Sequence, residues 1–167
     1  MFTIKKLTKQ NTDAVKNLTK VIVKNLSNPD MFMPFTDDAI DSMFEKGSTL
    51  NAYGAFCGDT LAAMSLYDTN YDEFLELLDP IGLDKTKRIA ELGVCMTLPE
   101  YRGNNLMHLI NTEILKVAKQ NGFEYIVATA HPQNMPSNTS LKKLGMQCGA
   151  TITRAGHYLR NVYSIKL

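Results

Sequence analysis

No stretch of the chain approaches the roughly 20 apolar residues of a membrane helix. Its first residues, Met1-Phe2-Thr3-Ile4-Lys5, lack the apolar core of a signal peptide. No membrane partner is expected, and the expected location is cytoplasmic. Cysteine is scarce. Cys57, Cys95 and Cys148 are odd in number, far apart and each set among apolar residues, so reduced, packed thiols are expected rather than disulfides. His108, His131 and His157 make no zinc-type spacing with them, and no metal is expected. Basic runs are short: Lys5-Lys6, Lys85 to Arg88 and Lys142-Lys143, in a chain of net charge +1. No nucleic-acid partner is expected from such a surface. There is no Walker loop, no dinucleotide fingerprint, no repeat and no linker.

What is present is a globular composition. The chain has 167 residues, 44% hydrophobic and 21% charged, enough for one domain with its own core. A single domain spanning 1–167 is expected. Phe2 to Leu7 alternates like a short strand. Ala14, Val15, Leu18, Val21, Ile22 and Leu26 recur at helical spacing behind Asn11 and Thr12. Thr36 caps a second helix that ends near Gly47. Leu50 to Cys57 and Leu61 to Tyr67 flank Gly58-Asp59 as a hairpin.

Tyr71 to Leu78 has the spacing of a short amphipathic helix, ended by Pro80 and Gly82. Ile89 to Leu98 reads as a strand stopped by Pro99. Asn104 to Asn121 reads as the longest helix, closed by Gly122. Tyr125 to Ala130 is an apolar run, expected to be a strand buried on both faces. A helix from Met135 or Ser137 to Leu144 follows, then a hairpin of Thr151 to Ala155 and Tyr158 to Ile165 around Gly156. The order β α α β β (α) β α β α β β predicts an α/β (α+β) fold, a mixed sheet with helices on both faces.

The segment Pro99-Glu100-Tyr101-Arg102-Gly103-Asn104-Asn105-Leu106-Met107 joins a strand to a helix. The first turn of a helix has N–H groups without internal partners, and the dipole adds about half a positive charge there. Such a turn can hold an anion. Gly103 allows close approach of a ligand. Asn104 and Asn105 tolerate left-handed backbone, and Arg102 adds a permanent cation. By local chemistry alone, a plain strand-to-helix connection is the more ordinary reading.

The sequence resembles the GCN5-related N-acetyltransferase (GNAT) superfamily. The family's pyrophosphate loop reads Gln/Arg-x-x-Gly-x-Gly/Ala, often within Pro-Glu-Tyr-Arg-Gly, which stands intact here as Pro99 to Gly103. Arg102 takes the Gln/Arg place. Asn105 and Met107 replace the two small residues; Asn can adopt glycine-like backbone, whereas Met107 can crowd the phosphates. A second stretch, His131-Pro132-Gln133-Asn134-Met135-Pro136-Ser137 followed by Lys143-Leu144-Gly145-Met146, is similar to the family's His-Pro-x-Asn-x-x-Ser and Lys-Leu-Gly-Phe. The likeness covers 50–167 well and the N-terminal third by element order only.

The resemblance implies a mostly antiparallel sheet of about seven strands. It also implies transfer of an acetyl group from acetyl-CoA to a primary amine of a small molecule or peptide by direct attack. It places cofactor binding on Cys95, Met96, Thr97 and Leu98 for the pantetheine arm and thioester. Arg102, Gly103, Asn104, Asn105, Leu106 and Met107 would serve the pyrophosphate, with Asn134, Ser137 and Lys143 from the second stretch. Glu91 is the candidate general base, because the attacking ammonium has a pKa of roughly 10. A strand-end carboxylate paired with Arg88 is the plainer reading of Glu91. The family's acid, a tyrosine in the last helix, is replaced by Leu141, so Tyr158 and Tyr163 become substitutes, or else packing residues.

Cys95 could be a nucleophile only beside an activating base, and none is near in sequence. A packed thiol is the plainer reading. His131 reads as structural, and His108 as a surface residue. Asp68, Asp72, Glu73, Glu76, Asp79 and Asp84 form an acidic group without a basic residue among them. They are either a rim that attracts a cationic amine or a solvated face. Met31, Phe32, Met33 and Phe35 line the acceptor side or join the core. A homodimer through an exposed last hairpin is a further expectation. Two other classes stay open: a CoA-binding regulatory or degenerate domain without turnover, and a nucleotide-binding enzyme on another α/β fold.

Overall fold

The computed structural model describes residues 1–167. The N-terminal alternation becomes β1 (Thr3–Lys6), and the apolar stripe after it becomes α1 (Thr12–Lys24). Thr36 accepts a hydrogen bond from the Ala39 amide and so caps α2 (Asp37–Ser42), with Asp37 and Asp38 in the first turn. The first hairpin is β2 (Leu50–Cys57) and β3 (Thr60–Asp68). Then come β4 (Ile89–Thr97), α3 (Leu106–Gln120), β5 (Tyr125–Ala130) and α4 (Met135–Lys143). β6 (Gln147–Arg154) and β7 (Tyr158–Lys166) close the chain.

One seven-stranded sheet results, in the order β1-β2-β3-β4-β5-β7-β6. Every neighbouring pair is antiparallel except β4 and β5. A parallel pair needs a crossover, and α3 supplies it. α1 and α2 cover one face, with Val15, Leu18 and Ile40 against Met64 and Leu66. α3 and α4 cover the other, with Leu106, Ile110, Ile114 and Leu141 against Tyr67, Leu92 and Tyr163. Ile110 and Ile114 are fully buried, and each such side chain stabilises the helix on the sheet by roughly 2 kcal/mol.

Several expectations are corrected. Tyr71 to Leu78 is no α-helix but a run of 3-10 turns, Tyr71–Glu73 and Leu75–Leu77, followed by Asp79–Ile81. Phe74 leaves helical geometry at φ −128°, and Pro80 cannot donate a helical hydrogen bond. The burial pattern survives the change: Phe74, Leu77 and Leu78 are fully buried, while Leu75 is exposed. β6 begins at Gln147, four residues before the expected Thr151. As an edge strand it has five of its eight residues exposed, and the first three, Gln147 to Gly149, show no alternation. For the same reason Cys148 is exposed rather than packed.

Candidate active site

The site is built where β4 changes neighbours. Met64 pairs with Met96 and Leu66 with Gly93, so Val94 and Cys95 stand opposite Ser65 alone. This is a β-bulge, and it puts Val94 at φ 48°. A β-branched residue there costs of order 1–3 kcal/mol, which the surrounding sheet must hold. On its other side, β4 pairs with β5 only from Ile89↔Tyr125 to Leu92↔Ala128. Both strands continue beyond that point and diverge. Ile89 to Leu92 are buried, whereas Gly93, Val94 and Cys95 are half-exposed. A Cβ placed on Gly93 would meet no atom within 4 Å. The result is an open slot in the sheet, edged by backbone that has lost its strand partner.

β4 runs into the turn read from the sequence. Pro99–Tyr101 is one 3-10 turn, and Gly103 takes φ 82°, which its missing Cβ permits. The Asn104 side-chain amide donates to the Tyr101 carbonyl at 3.0 Å. Asn105 adopts φ 58°, ψ 22°, the left-handed conformation expected of a glycine substitute, so α3 starts at Leu106 and not at Asn104. The first helical bond runs from the Leu109 amide to the Asn105 carbonyl. Leu106, Met107 and His108 therefore offer free N–H groups, with no carboxylate in the first turn. Arg102 is exposed and forms no ion pair. Met107 is half-buried against the core beneath α3.

Left-handed backbone costs a Cβ-bearing residue about 1–2 kcal/mol, and Asn least of those. Asn105→Gly is thus expected to keep both stability and ligand affinity. Asn105→Val should lose about 1–2 kcal/mol in urea unfolding and bind CoA more weakly as the strained turn displaces the free N–H groups. Equal affinities for all three proteins would show that the turn's backbone holds nothing.

Because β4 and β5 are parallel, the segment after β5 emerges at the same end as this turn. Asn134 caps α4 there, its side-chain oxygen accepting from the Ser137 amide at 3.2 Å. Lys143 is exposed in the last turn of α4. The buried His131 ring accepts the Gln133 amide at 3.1 Å, a structural role as expected. His108 is less exposed than expected, with its Nδ1 buried and unpartnered.

Asn138 was not singled out from sequence, yet it is the hub of this end. Its Nδ2 donates to the carbonyls of His131 (2.9 Å) and Asn134 (2.7 Å). Its Oδ1 accepts from the Tyr163 hydroxyl (2.6 Å) and Asn161 (3.0 Å). The readable signal was a polar residue three before Leu141, on the same helix face as a core residue. The hub also removes an acid candidate. Tyr163 is 1% exposed, its hydroxyl is given to Asn138, and burial pushes its pKa up. Leu141 is buried and has no proton to give. Tyr158, at the tip of the β6–β7 hairpin, remains half-exposed with its ring against His157 at 3.9 Å.

Glu91 lies on β4 just before the slot and is 8% exposed. Its partner is Arg154, 63 residues away on β6, and not Arg88, which stacks on Phe123. Arg154 reaches both oxygens of Glu91: Nη1 pairs with Oε1, and Nη2 donates to Oε2 at 3.0 Å. The same guanidinium donates to Glu76 (3.1 Å) and to the Glu73 carbonyl (2.8 Å). Burial pushes the Glu91 pKa up and Arg154 pulls it back, leaving it above the ordinary carboxylate value, with Asp68 and Glu76 adding to the rise. Burial opposes the Arg154 charge, but Glu91 and Glu76 outweigh it and raise its pKa.

The acidic group is thus partly neutralised: Glu76 by Arg154, and Asp79 by Lys85 at 2.7 Å. Cys95 sits in the slot with its Sγ 3.2 Å from Ser65 Oγ and 3.8 Å from Asn111 Nδ2. Burial raises its thiol pKa, so it stays protonated and is no activated nucleophile. Phe32 and Phe35 pack against the α1–α2 core, whereas Met33 is exposed. Two other depressions, of about 470 and 290 Å³, lie against β1 and away from the slot.

The strand order, the split between β4 and β5 and the turn into α3 define an acyl-CoA N-acyltransferase fold. Residues 23–147 match the family described as "Acetyltransferase (GNAT) domain", and the chain belongs to that family of acyltransferases. No curated protein sequence matches the chain. Among solved structures it is similar to an N-acetyltransferase from Staphylococcus aureus Mu50, with TM-score 0.76 and 13% identity over 99% of this chain and 98% of that one. It is also similar to yncA of Salmonella typhimurium with its cofactor acetyl-CoA, with TM-score 0.74 and 15% identity over 99% and 94%. A third is the GNAT-family acetyltransferase from Streptococcus pneumoniae, with TM-score 0.74 and 14% identity over 100% and 99%.

Proposed function

We propose that the chain is one catalytic domain that transfers an acetyl group from acetyl-CoA to a primary amine of a small molecule or peptide. The observation that carries this is the loss of pairing between β4 and β5 beyond Leu92 and Ala128. It frees an extended backbone edge, Gly93 to Thr97, that ends in a turn with unpaired N–H groups. A ligand with amides at one end and phosphates at the other fits both. Bound there, acetyl-CoA supplies an activated acyl group. The chain's residues do the rest. Cys95 to Leu98 would pair with the amides, and backbone N–H groups from Arg102 to Met107 would hold the phosphates. An amide near Cys95 or Met96 would polarise the carbonyl. Asn134, with an unpaired side-chain NH₂, and Ser137 flank the same end, and Lys143 stands in the last turn of α4.

In this reading Glu91 takes the amine's proton, through water because both of its oxygens already face Arg154. Thiolate departure needs little help, since a thiol pKa near 8.5 makes it a tolerable leaving group. Tyr158 is the remaining acid candidate. The second reading, a CoA-binding domain without turnover, is favoured by the same Arg154 grip and by the buried Leu141.

Thermal unfolding and thiol release separate these readings. CoA should raise Tm in a concentration-dependent way, more than ATP or NAD does. Acetyl-CoA with an amine panel should release free thiol. Binding without turnover on any amine selects the second reading, and better protection by ATP or NAD removes both.

A further inference from the structure

Arg160 is the only buried lysine or arginine of the chain, at 4% exposure, and it has no carboxylate within ion-pair distance. Its single hydrogen bond runs from Nη1 to the carbonyl of its own neighbour Leu159, at 2.8 Å. A guanidinium carries five N–H donors and stays charged, so most of this one's capacity is unused. A buried charge without a partner is costly, and native structures rarely tolerate one that nothing uses. Burial holds the pKa of Arg160 below its ordinary value, Tyr158 and Asp30 oppose the fall, and Arg154 adds to it. The Asp30 side chain is itself exposed and forms no ion pair with Arg160.

Strand register gives Arg160 its place. Glu91 pairs with Val127, and Val127 with Ser164. Side chains two and four residues along β7 share one face, so Val162 and Arg160 stand on the Glu91 face of the sheet. Arg160 also lies opposite Ile152, two residues from Arg154. Its backbone adjoins the Ala130↔Asn161 pair, at the end of β5 where β4 has already diverged. The segment Pro29–Met31 lies over β7 here, and the guanidinium sits 5.0 Å from the centre of the Tyr158 ring. The unused fork is therefore near the mouth of the slot, on the side of the proposed base.

We propose that the acceptor amine carries a carboxylate, as an amino acid or short peptide does, and that Arg160 binds this group while the amine faces the slot. This rests on the acetyltransferase reading and names its substrate class. A planar fork matches a carboxylate with two parallel hydrogen bonds, which fixes orientation as well as affinity. The transfer leaves the carboxylate untouched. The amine nitrogen bonds to the acetyl carbon, the C–S bond breaks, the sulfur leaves as thiolate, and the amine's proton passes to the base.

The test compares each free L-amino acid or dipeptide with its C-terminal amide, in kcat/KM, for the wild type, Arg160→Lys and Arg160→Gln. The wild type should prefer the acids by about 30-fold, the worth of a charge-assisted bond pair. Arg160→Gln should bring the ratio below about 3-fold through KM, with amides far less affected than acids, and Arg160→Lys should recover part of it. Equal rates for acids and amides in the wild type overturn the proposal without any variant. So does an equal loss on both in Arg160→Gln. Faster acetylation of phosphoethanolamine than of β-alanine would replace the carboxylate by a phosphate. If no amine turns over, the acetyltransferase reading fails, and N-acetylated acids and their amides are compared for thermal protection of the CoA-loaded protein. Stronger protection by the acids, abolished in Arg160→Gln, then supports Arg160 as a carboxylate site; no difference overturns it.

Discussion

Arg154→Ala is expected to destabilise the protein by about 3–5 kcal/mol at neutral pH, read from urea unfolding. The cost is not the worth of the ion pair. It is the penalty of leaving Glu91, 8% exposed, as a buried charge without its guanidinium. Arg154 also ties three segments together: β4 through Glu91, and the 3-10 turns through Glu76 and the Glu73 carbonyl. The loss should depend on pH in a stated direction. Burial already raises the folded-state pKa of Glu91, and Arg154 is what pulls it back. Without Arg154 the raised value rises further. A carboxyl whose folded pKa is raised supports the fold below its unfolded value, near 4.3, and loses that support as pH climbs through the folded value. The variant should therefore be most damaged at pH 7–8 and recover as pH falls toward the ordinary carboxylate range, where Glu91 takes up a proton. Adding Glu91→Gln to Arg154→Ala should return part of the stability at pH 8. A loss under about 1 kcal/mol, the same at both pH values, would mean that the pair is solvated and holds nothing together.

The elements and their order were legible because most carry a strong local signal. α1 and α3 have long apolar stripes, the first hairpin has Gly58-Asp59, and β5 is apolar but for Thr129. What failed was local in another sense. Phe74, Leu77 and Leu78 have helical spacing, but Phe74 leaves helical geometry and Pro80 has no N–H to give, so the segment breaks into tighter turns. The start of β6 was missed because Gln147 to Gly149 are all exposed and the register shifts between Cys148 and Ala150.

At the site the turn was readable down to Asn105, since backbone conformation is a property of a few adjacent residues. Its relation to the second stretch was readable only through family resemblance. The partners of charged residues were not readable at all. Glu91 finds Arg154 63 residues away, and nothing in the neighbourhood of either announces the other. Nothing in the sequence sets Arg160 apart from the other basic residues. Its burial and its missing partner exist only once β7 is paired and packed. Tyr163 failed as an acid candidate for a related reason: its hydroxyl is claimed by Asn138, a contact between α4 and β7.

Glu91→Gln should lower kcat by about 10²–10³-fold at pH 7, with stability changed far less than in Arg154→Ala. Glutamine keeps the shape and a hydrogen-bond acceptor for Arg154, and Glu76 with the Glu73 carbonyl still satisfies part of the guanidinium. What it loses is proton affinity. At pH 7 only about one alkyl amine in a thousand is neutral, given a pKa of roughly 10, so a positioned base has a large population to draw on. The burial that lifts the Glu91 pKa moves it toward the working pH and makes it a better acceptor than a surface carboxylate. The sign of the pH dependence follows. Wild-type activity should fall as pH drops through the raised Glu91 value, that is, above the ordinary carboxylate range. The Gln variant should lose this limb and rise with pH toward the pKa of the amine itself. The gap between the two proteins should then narrow as pH increases from 7 to 9.5. Unchanged kcat at both ends of that range would reduce Glu91 to half of a structural ion pair. Turnover that persists in Glu91→Gln but vanishes in Tyr158→Phe would move the proton chemistry to the hairpin tip, beside Arg160, and with it the orientation of the acceptor.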